Sequence, residues 1–294
     1  MHHPIFAKFE CWKGYVRPGF TANFLGVLTR QSFFKKLIRH DEGRFVQTEF
    51  PDFAEVYLEW LDLLEAVTTA EGQFTIVELG AGWGKWMVNA VATLRQYDGR
   101  PYKLIGVEPE PDHFAWMLLH FRDNGINPND HCLIQAAVAD HDGWVWFYIG
   151  RPDEWYGQAI APPPDPGPGR LSKSLLKRRS FVNEGMVGGE RVKRVKAVSL
   201  NTLLKPLNKV DLIDLDVQGA ELTVLQAAAE RVDQKVRRVH IGTHSAEIEA
   251  GLRSLFHDLG WEKLHDYPCQ SESATPWGTI EFQDGVQSWV NPKV

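Results

Sequence analysis

The stretch that most constrains the fold is F-T-I-V-E-L-G-A-G-W-G-K-W, residues 74–86. Its first half, Phe74–Leu79, is apolar and rich in β-branched residues, which predicts a strand buried on both faces. Glycines then occupy every second position from Gly80 to Gly84, and Lys85–Tyr97 carries apolar side chains at helical spacing. A strand, a glycine turn and a helix N-terminus together predict a site where the backbone approaches a ligand closely.

The glycine spacing indicates which ligand this is. A dinucleotide fingerprint, G-x-G-x-x-G/A, needs a small residue at the position that Lys85 occupies. The pattern E-x-G-x-G-x-G, which starts at Glu78, resembles motif I of class I S-adenosyl-L-methionine (SAM) methyltransferases. An acidic Glu78 suits a cationic ligand such as SAM and would repel a pyrophosphate. The cofactor-binding residues expected here are Glu78, Gly80, Ala81, Gly82 and Gly84.

Two later strand ends supply further candidates for cofactor binding. Glu108 ends the second predicted strand, 26 positions after Gly82, and its carboxylate could accept hydrogen bonds from both ribose hydroxyls. Sites for NAD use the same arrangement, so Glu108 indicates a nucleoside without identifying it. At the end of the third strand, Gln135, Ala136 and Ala137 offer one polar side chain and small walls to an adenine.

Strands and helices alternate along the chain. Strands are predicted at 74–79, 103–108, 132–138, 210–217, 237–243 and 261–266, with an edge strand at 144–149 and a closing hairpin of 279–282 and 285–290. Helices are predicted at 52–70, 85–97, 111–124, 220–229 and 246–259. This alternation predicts an α/β fold with a doubly wound, mostly parallel seven-stranded sheet and an antiparallel edge strand.

Two segments stand outside the alternation. Residues 1–70 form an aromatic and helical N-terminal extension, and 71–294 the main domain, with an insertion at about 151–196. Five prolines at 161–170 predict extended chain there. Between 170 and 196, nine basic residues, including Arg178 and Arg179, stand against two acidic ones. This segment is either a solvated charged face or a mobile lid that recruits an anionic acceptor.

Composition limits the classes of partner. A net charge of −6 argues against nucleic-acid binding, and no apolar run reaches the roughly 20 residues of a membrane span. Three scattered cysteines fit a reducing cytoplasm. The expected partner is a small-molecule or glycan acceptor, and the aromatic extension leaves a homo-oligomer open. Candidates for stacking on a sugar acceptor are Trp144, Trp146, Trp155 and Tyr156, although packing explains the first two equally well.

A second phrase, V-D-L-I-D-L-D-V-Q-G-A-E-L at residues 210–222, makes the resemblance specific. It resembles the signature of the FkbM family of SAM-dependent methyltransferases, typically D-L-I-K-I-D-V-E-G-A-E. Residues 136–143 and 198–204 also resemble that family, so the resemblance covers about 74–260. It implies a class I methyltransferase fold and methyl transfer to an oxygen, often a hydroxyl of a sugar or natural product.

Transfer to an alcohol needs a base beside the hydroxyl. His244 and Asp216 end two strands next to the glycine turn and are the predicted catalytic residues. A divalent metal held by Asp216 is not favoured, because Gly242 stands where the family commonly has an acidic residue. An NAD(P)-dependent oxidoreductase of the same fold and a non-catalytic SAM-binding module remain the alternatives.

Overall fold

The computed structural model describes residues 1–34, 42–150, 158–164 and 183–294. The N-terminal part of the chain has these elements: β1 Lys13–Val16, β2 Phe20–Ala22, β3 Leu28–Arg30, β4 Arg44–Gln47 and α1 Val56–Thr69. Aromatic rings attach the first residues of this part to α1, since Phe6 stacks on Tyr57 and Phe24 meets Trp60 edge-on. All four rings are buried, so the N-terminal residues form part of the main core.

The first half of the central sheet begins at the glycine-rich stretch. Its elements are β5 Phe74–Leu79, α2 Lys85–Tyr97, β6 Tyr102–Val107, α3 Pro111–Asp123 and β7 Cys132–Ile134. Every residue of β5 is buried, as its apolar and β-branched composition predicts. Glu110 caps α3 by accepting a hydrogen bond from the backbone N–H of His113, and Pro111 occupies the first helical position.

A smaller sheet of five strands follows. Its strands are β8 Ala137–Ala139, β9 Gly143–Tyr148, β10 Ile160–Ala161, β11 Glu184–Val187 and β12 Glu190–Ser199. The long strand β12 pairs antiparallel with β9 and β11 and parallel with β8. This sheet supplies one wall of the cavity described below.

The remaining elements complete the central sheet and its cover. They are α4 Leu200–Leu204, β13 Leu212–Leu215, α5 Glu221–Ala227, α6 Ala229–Lys235, β14 Arg238–Thr243, α7 Ala246–Asp258, β15 Glu262–Tyr267, β16 Ser271–Thr275, β17 Gly278–Phe282 and β18 Gly285–Val290. The strand order is β15-β18-β14-β13-β5-β6-β7. The chain turns outward in both directions from the neighbours β5 and β13, so their C-terminal ends mark the topological switch point where open α/β sheets bind ligands.

Two apolar layers cover the sheet. One buried cluster joins the N-terminal residues, α1 and α2 to one face, and the other joins α4 to α7 to the opposite face. The predicted doubly wound, mostly parallel seven-stranded sheet is confirmed. Its antiparallel strand is not at the edge as predicted, because β18 lies between β14 and β15. Residues 286–289 are buried and hydrogen-bonded on both sides, which an edge position would not provide.

Three further predictions about strands are corrected. The prediction of a closing hairpin between 279–282 and 285–290 is wrong. β17 pairs with β16 through a turn before Gly278, and β18 enters the central sheet. The strand predicted at 132–138 is interrupted because the N–H of Ala136 turns back to the carbonyl of Ile134, and β8 then joins the second sheet. The strand predicted at 144–149 also belongs to that sheet, because β12 offers it a six-residue ladder.

Some predictions fall outside the described residues. These are the roles of Trp155 and Tyr156, most of the proline-rich stretch, and the basic residues from Arg170 to Arg179. The boundary at residue 70 and the extent of the insertion stay predictions. Across the described ranges, no helix combines the length and apolarity needed to cross a membrane.

Candidate active site

The glycine turn packs directly against the end of β13. Gly80, Gly82 and Gly84 all have positive φ angles, at 77°, 52° and 69°. A Cβ added to Gly80 would overlap the backbone oxygen of Asp216, and one added to Gly84 would lie 2.9 Å from the ring of Phe121. Gly80 therefore excludes a side chain on conformation and on space, whereas the left-handed φ is the main restriction at Gly84.

Glu78 is bound to the helix that follows the turn. Its carboxylate accepts hydrogen bonds from the backbone N–H groups of Trp86 and Met87, at 3.2 and 2.9 Å. Burial raises the pKa of Glu78 to about 8 and outweighs these two hydrogen bonds. Because Glu78 occupies the amides that a phosphate would use, the start of α2 suits a pyrophosphate poorly.

Glu108 lies against the turn although it is distant in sequence. Its Oε2 accepts a hydrogen bond from the N–H of Gly82 at 2.8 Å, and its Oε1 accepts one from the N–H of Glu110 at 2.8 Å. These contacts fix the carboxylate at the rim of the turn. Its predicted role as a ribose ligand stays a prediction.

A cavity of about 380 Å³ opens above the turn. This volume is within the roughly 300–1,000 Å³ range of small-molecule sites. The predicted site residues on its wall are Glu78, Gly80, Ala81, Gly82, Glu108, Ala137 and Asp216. The predicted residues that are not on its wall are Gly84, Gln135, Ala136 and His244.

The residues off the wall have identifiable positions. Gly84 precedes α2 directly, Ala136 is buried and Gln135 is exposed to solvent. From the second sheet, Phe147 lines the cavity, whereas the predicted stacking candidates Trp144 and Trp146 do not. Trp144 instead packs its ring 5.2 Å from the guanidinium of Arg194.

Asp216 and His244 form a pair at the mouth of the cavity. His244 Nε2 lies 3.5 Å from an Asp216 carboxylate oxygen and 3.7 Å from one of Asp284. His244 Nδ1 lies 2.9 Å from the buried carboxylate of Glu221. The side-chain amide of Gln218 bridges the pair, at 3.0 Å from Asp216 and 2.8 Å from His244.

The two predicted catalytic residues differ in their protonation state near neutral pH. Burial disfavours protonated His244, but the hydrogen bond with Glu221 and the charges of Asp216 and Asp284 outweigh it and raise the His244 pKa to about 9. Desolvation raises the pKa of Asp216 to about 6, while the charge of His244 opposes this rise. Near neutral pH the imidazole is therefore a cation and Asp216 is the group able to accept a proton.

Several residues of this site were not found from the sequence, among them three polar ones. Glu59 lies on α1, Gln158 precedes β10, and Asp284 lies in the turn before β18, and all three line the cavity. Asp284 provides a carboxylate beside His244, whereas Gly242, where the family commonly has an acidic residue, provides none. The Asp-Gly turn signal preceding β18 draws attention to Asp284, but that signal predicts a turn rather than a ligand.

The structure has a seven-stranded sheet with a glycine turn and an acidic strand end at its switch point. This is the arrangement of a class I SAM-dependent methyltransferase. The Methyltransferase FkbM domain matches residues 78–261, which is more than half of the chain. The chain therefore belongs to the FkbM family of methyltransferases, and its cofactor is SAM.

The individual relatives share only a small part of their sequence with this chain. A protein of Jannaschia sp. (strain CCS1), whose methyltransferase name is itself provisional, is 26% identical over 292 residues and 97% of each chain. A solved FkbM methyltransferase from Methylobacillus flagellatus KT has a TM-score of 0.44 at 10% identity, over 81% of this chain and 55% of that one. Precorrin 8W decarboxylase of Methanobacterium thermoautotrophicum has a TM-score of 0.41 at 11% identity, over 82% and 92%.

Proposed function

We propose that the protein transfers the methyl group of SAM to a hydroxyl oxygen of a sugar, glycan or natural-product acceptor. The observation that carries the proposal is the Asp216 carboxylate, which faces the cavity at the end of β13 directly beside the glycine turn. SAM supplies an activated methyl group, so the protein has to align the acceptor, exclude water and remove a proton.

The cavity suits the cofactor in shape and charge. Because Gly80 has no side chain, the turn packs directly against the backbone of Asp216, and the backbone from Gly80 to Gly82 together with Glu108 would hold the cofactor. Seven carboxylates from the described residues line the cavity: Glu55, Glu59, Glu78, Glu108, Asp214, Asp216 and Asp284. Glu78, with a pKa of about 8, is mostly protonated near neutral pH, whereas the ionised carboxylates of this wall favour a ligand that carries a sulfonium cation.

Asp216 is the proposed base and His244 the residue that positions it. With a pKa of about 6, Asp216 is mostly ionised at neutral pH. It is still basic enough to accept the proton that the acceptor hydroxyl releases as its oxygen takes the methyl group. Its side chain is half exposed to the cavity, so water screens part of the shift. His244, held by Glu221, fixes the carboxylate by charge.

The same acidic wall bears on the acceptor. The cations on it are Lys85 and, when protonated, His113, as far as the structure describes the chain. The basic residues Arg191 and Arg194 lie on β12 and do not line the cavity. A neutral or cationic acceptor therefore suits the described part of the site better than an anionic one.

Release of S-adenosylhomocysteine (SAH) in the presence of hydroxylated sugars and natural products tests the proposal, with ¹³C-methyl SAM and NMR to identify the methylated atom. Asp216→Asn should lower kcat by roughly 10²–10⁴-fold, whereas the exposed Asp258→Asn should leave it unchanged. A methyl group on nitrogen would contradict the proposal. SAM binding without turnover would favour a non-catalytic module, and binding of NAD in place of SAM an oxidoreductase.

A further inference from the structure

The floor of the cavity gathers acidic side chains from two neighbouring strands and the helix above them. Glu78 on β5 and Asp214 on β13 are paired in register, so both point to the face that α1 covers. Glu59 projects from α1 onto the same floor. One ligand atom each from Glu59, Asp214 and His240 fit within 4.8 Å of one another.

Asp214 is the member of this group whose carboxyl group has no partner among the described residues. It is 8% exposed and lines the cavity, yet none of the described residues donates a hydrogen bond to its carboxylate or forms an ion pair with it within 4.0 Å. Burial and the charges of Glu59 and Glu78 raise the pKa of Asp214 well above its ordinary range. A buried carboxylate in this situation is stabilised by a positively charged partner.

The nearby cations are engaged with other groups. Lys85 Nζ lies 3.6 Å from a carboxylate oxygen of Glu59 and 4.2 Å from the ring centre of Trp86. His240 lies beside Asp214 on the next strand, but its Nδ1 is 2.7 Å from the buried carboxylate of Asp62. The carboxylate of Glu78 already accepts two hydrogen bonds from α2. Among the described residues no free cation is left for Asp214, so a cationic group of a ligand in the cavity is the partner that would favour its ionised form.

We infer that Asp214 and Glu59 bind the α-ammonium group of the methionine moiety of SAM. This inference rests on the SAM dependence of the proposed function. A primary ammonium carries one positive charge and three hydrogen-bond donors, which the carboxylates of Asp214 and Glu59 can accept from two sides. The floor adjoins the glycine turn, because Glu78, the register partner of Asp214, leads directly into it.

Calorimetric titration with SAH and with its deamino analogue, which lacks only the α-amino group, tests this assignment. Wild-type protein should bind SAH about 10- to 100-fold more tightly than deamino-SAH, the effect of a charge-assisted hydrogen bond. Asp214→Asn should reduce this ratio to about three-fold or less by weakening SAH binding alone. Glu59→Gln, at a less buried position, should reduce the ratio in the same direction.

Glu55→Gln is the matched control, because Glu55 lines the same cavity and accepts a hydrogen bond from the N–H of Gln283 instead. It should keep the wild-type ratio. A ratio that stays at the wild-type value in both Asp214→Asn and Glu59→Gln would overturn the inference while leaving SAM dependence intact. Binding of Mn²⁺ alone that Asp214→Asn abolishes would overturn it in favour of a metal site. If wild-type protein binds no SAH, the cofactor assignment and the inference both fail.

Discussion

A single glycine ties the cofactor turn to the strand that carries the proposed base. Gly80 is left-handed, at a φ of 77°, and it touches the backbone of Asp216 so closely that no Cβ fits. Conformation and contact thus act on the same residue. Most of the described glycines with positive φ meet only the first of these two requirements, because an added Cβ would have no close neighbour.

We predict that Gly80→Ala abolishes SAH binding and lowers the free energy of unfolding by more than the roughly 1 kcal/mol of a left-handed alanine. The added methyl group would have to displace the end of β13. Calorimetry and denaturant unfolding measure the two effects. Gly72→Ala is the control, since its φ is 68° but nothing lies within 4 Å of its added Cβ. Equal losses for the two variants would show that the contact at Gly80 has no effect.

Because Asp216 is the proposed base, its protonation should determine how kcat falls at acid pH. With a pKa of about 6, Asp216 becomes protonated as the pH falls through that value, so kcat should drop about ten-fold per pH unit below it. His244→Gln removes a cation that lowers this pKa, and the acid limb should therefore move to higher pH. Replacement of the exposed His257 by Gln should leave the limb in place. A profile unchanged by His244→Gln would exclude the positioning role.

Protonation of His244 also predicts how stability depends on pH. Its folded-state pKa of about 9 lies above the ordinary value of 6.5, so the proton stabilises the folded state. That contribution, about 3 kcal/mol for a shift of this size, is complete below pH 6.5 and is lost as the pH rises through about 9. Unfolding titrations at pH 6 and 9.5 should show this fall in wild type and a smaller one in His244→Gln. Parallel curves would contradict it.

Among elements, α1 is held to the sheet by buried charges as well as by apolar packing. Asp62 is fully buried and lies 2.7 Å from both Arg238 Nη1 and His240 Nδ1, and the hydroxyl of Ser288 donates to it as well. Burial opposes its ionisation, but these partners hold the Asp62 pKa well below its usual range. The helix that carries Glu59 is thereby fixed over β14 and β18.

We predict that Asp62→Asn lowers the free energy of unfolding by about 3–5 kcal/mol, because two buried cations lose their carboxylate. Glu65→Gln is the control on the same helix, since Glu65 also pairs with Arg238 but is 31% exposed. It should cost less than about 1 kcal/mol. Chemical denaturation of both variants measures the difference, and a loss of similar size in the two would show that burial of Asp62 has no special effect.

Most elements of the central sheet could be predicted from the sequence, because strands buried on both faces have continuous apolar patterns. The strands β5, β6, β13 and β14 all lie within the predicted ranges or within one residue of them. Pairing partners were harder to predict, since β9 and β18 have strand-like patterns that fit either sheet. Their partners depend on long-range ladders with β12 and β14, which local patterns do not encode.

Some residues of the candidate site could be predicted from the sequence and others could not. Gly80, Glu108 and Asp216 stand in or beside motifs whose spacing reflects their chemistry, and the structure brings them together around one cavity. Glu59 and Asp284 reach the cavity from a helix face and a turn, where an acidic residue looks like ordinary surface. Their contribution follows from tertiary packing alone.

At the scale of the whole molecule, the acidic cavity agrees in sign with the net charge of −6. SAM carries one more positive charge than SAH, so this field should favour SAM. We predict that raising the salt concentration from ~0.05 M to ~0.5 M weakens SAM binding more than SAH binding, because the shorter Debye length screens the field. Competition titrations at both salt concentrations measure this ratio. A ratio that does not fall with salt would indicate that the cavity charges are locally neutralised.

The contact between Gly80 and the end of β13 also matters for anyone who wishes to redesign the enzyme. The donor cradle and the proposed base share one backbone contact, so a library that varies either will disturb both. Phe147, Gln158 and Asp284 reach the same cavity from other strands and turns, and they lack that constraint. Substitutions meant to change the acceptor are therefore best made at these three positions, while the residues of the turn and β13 are left unchanged.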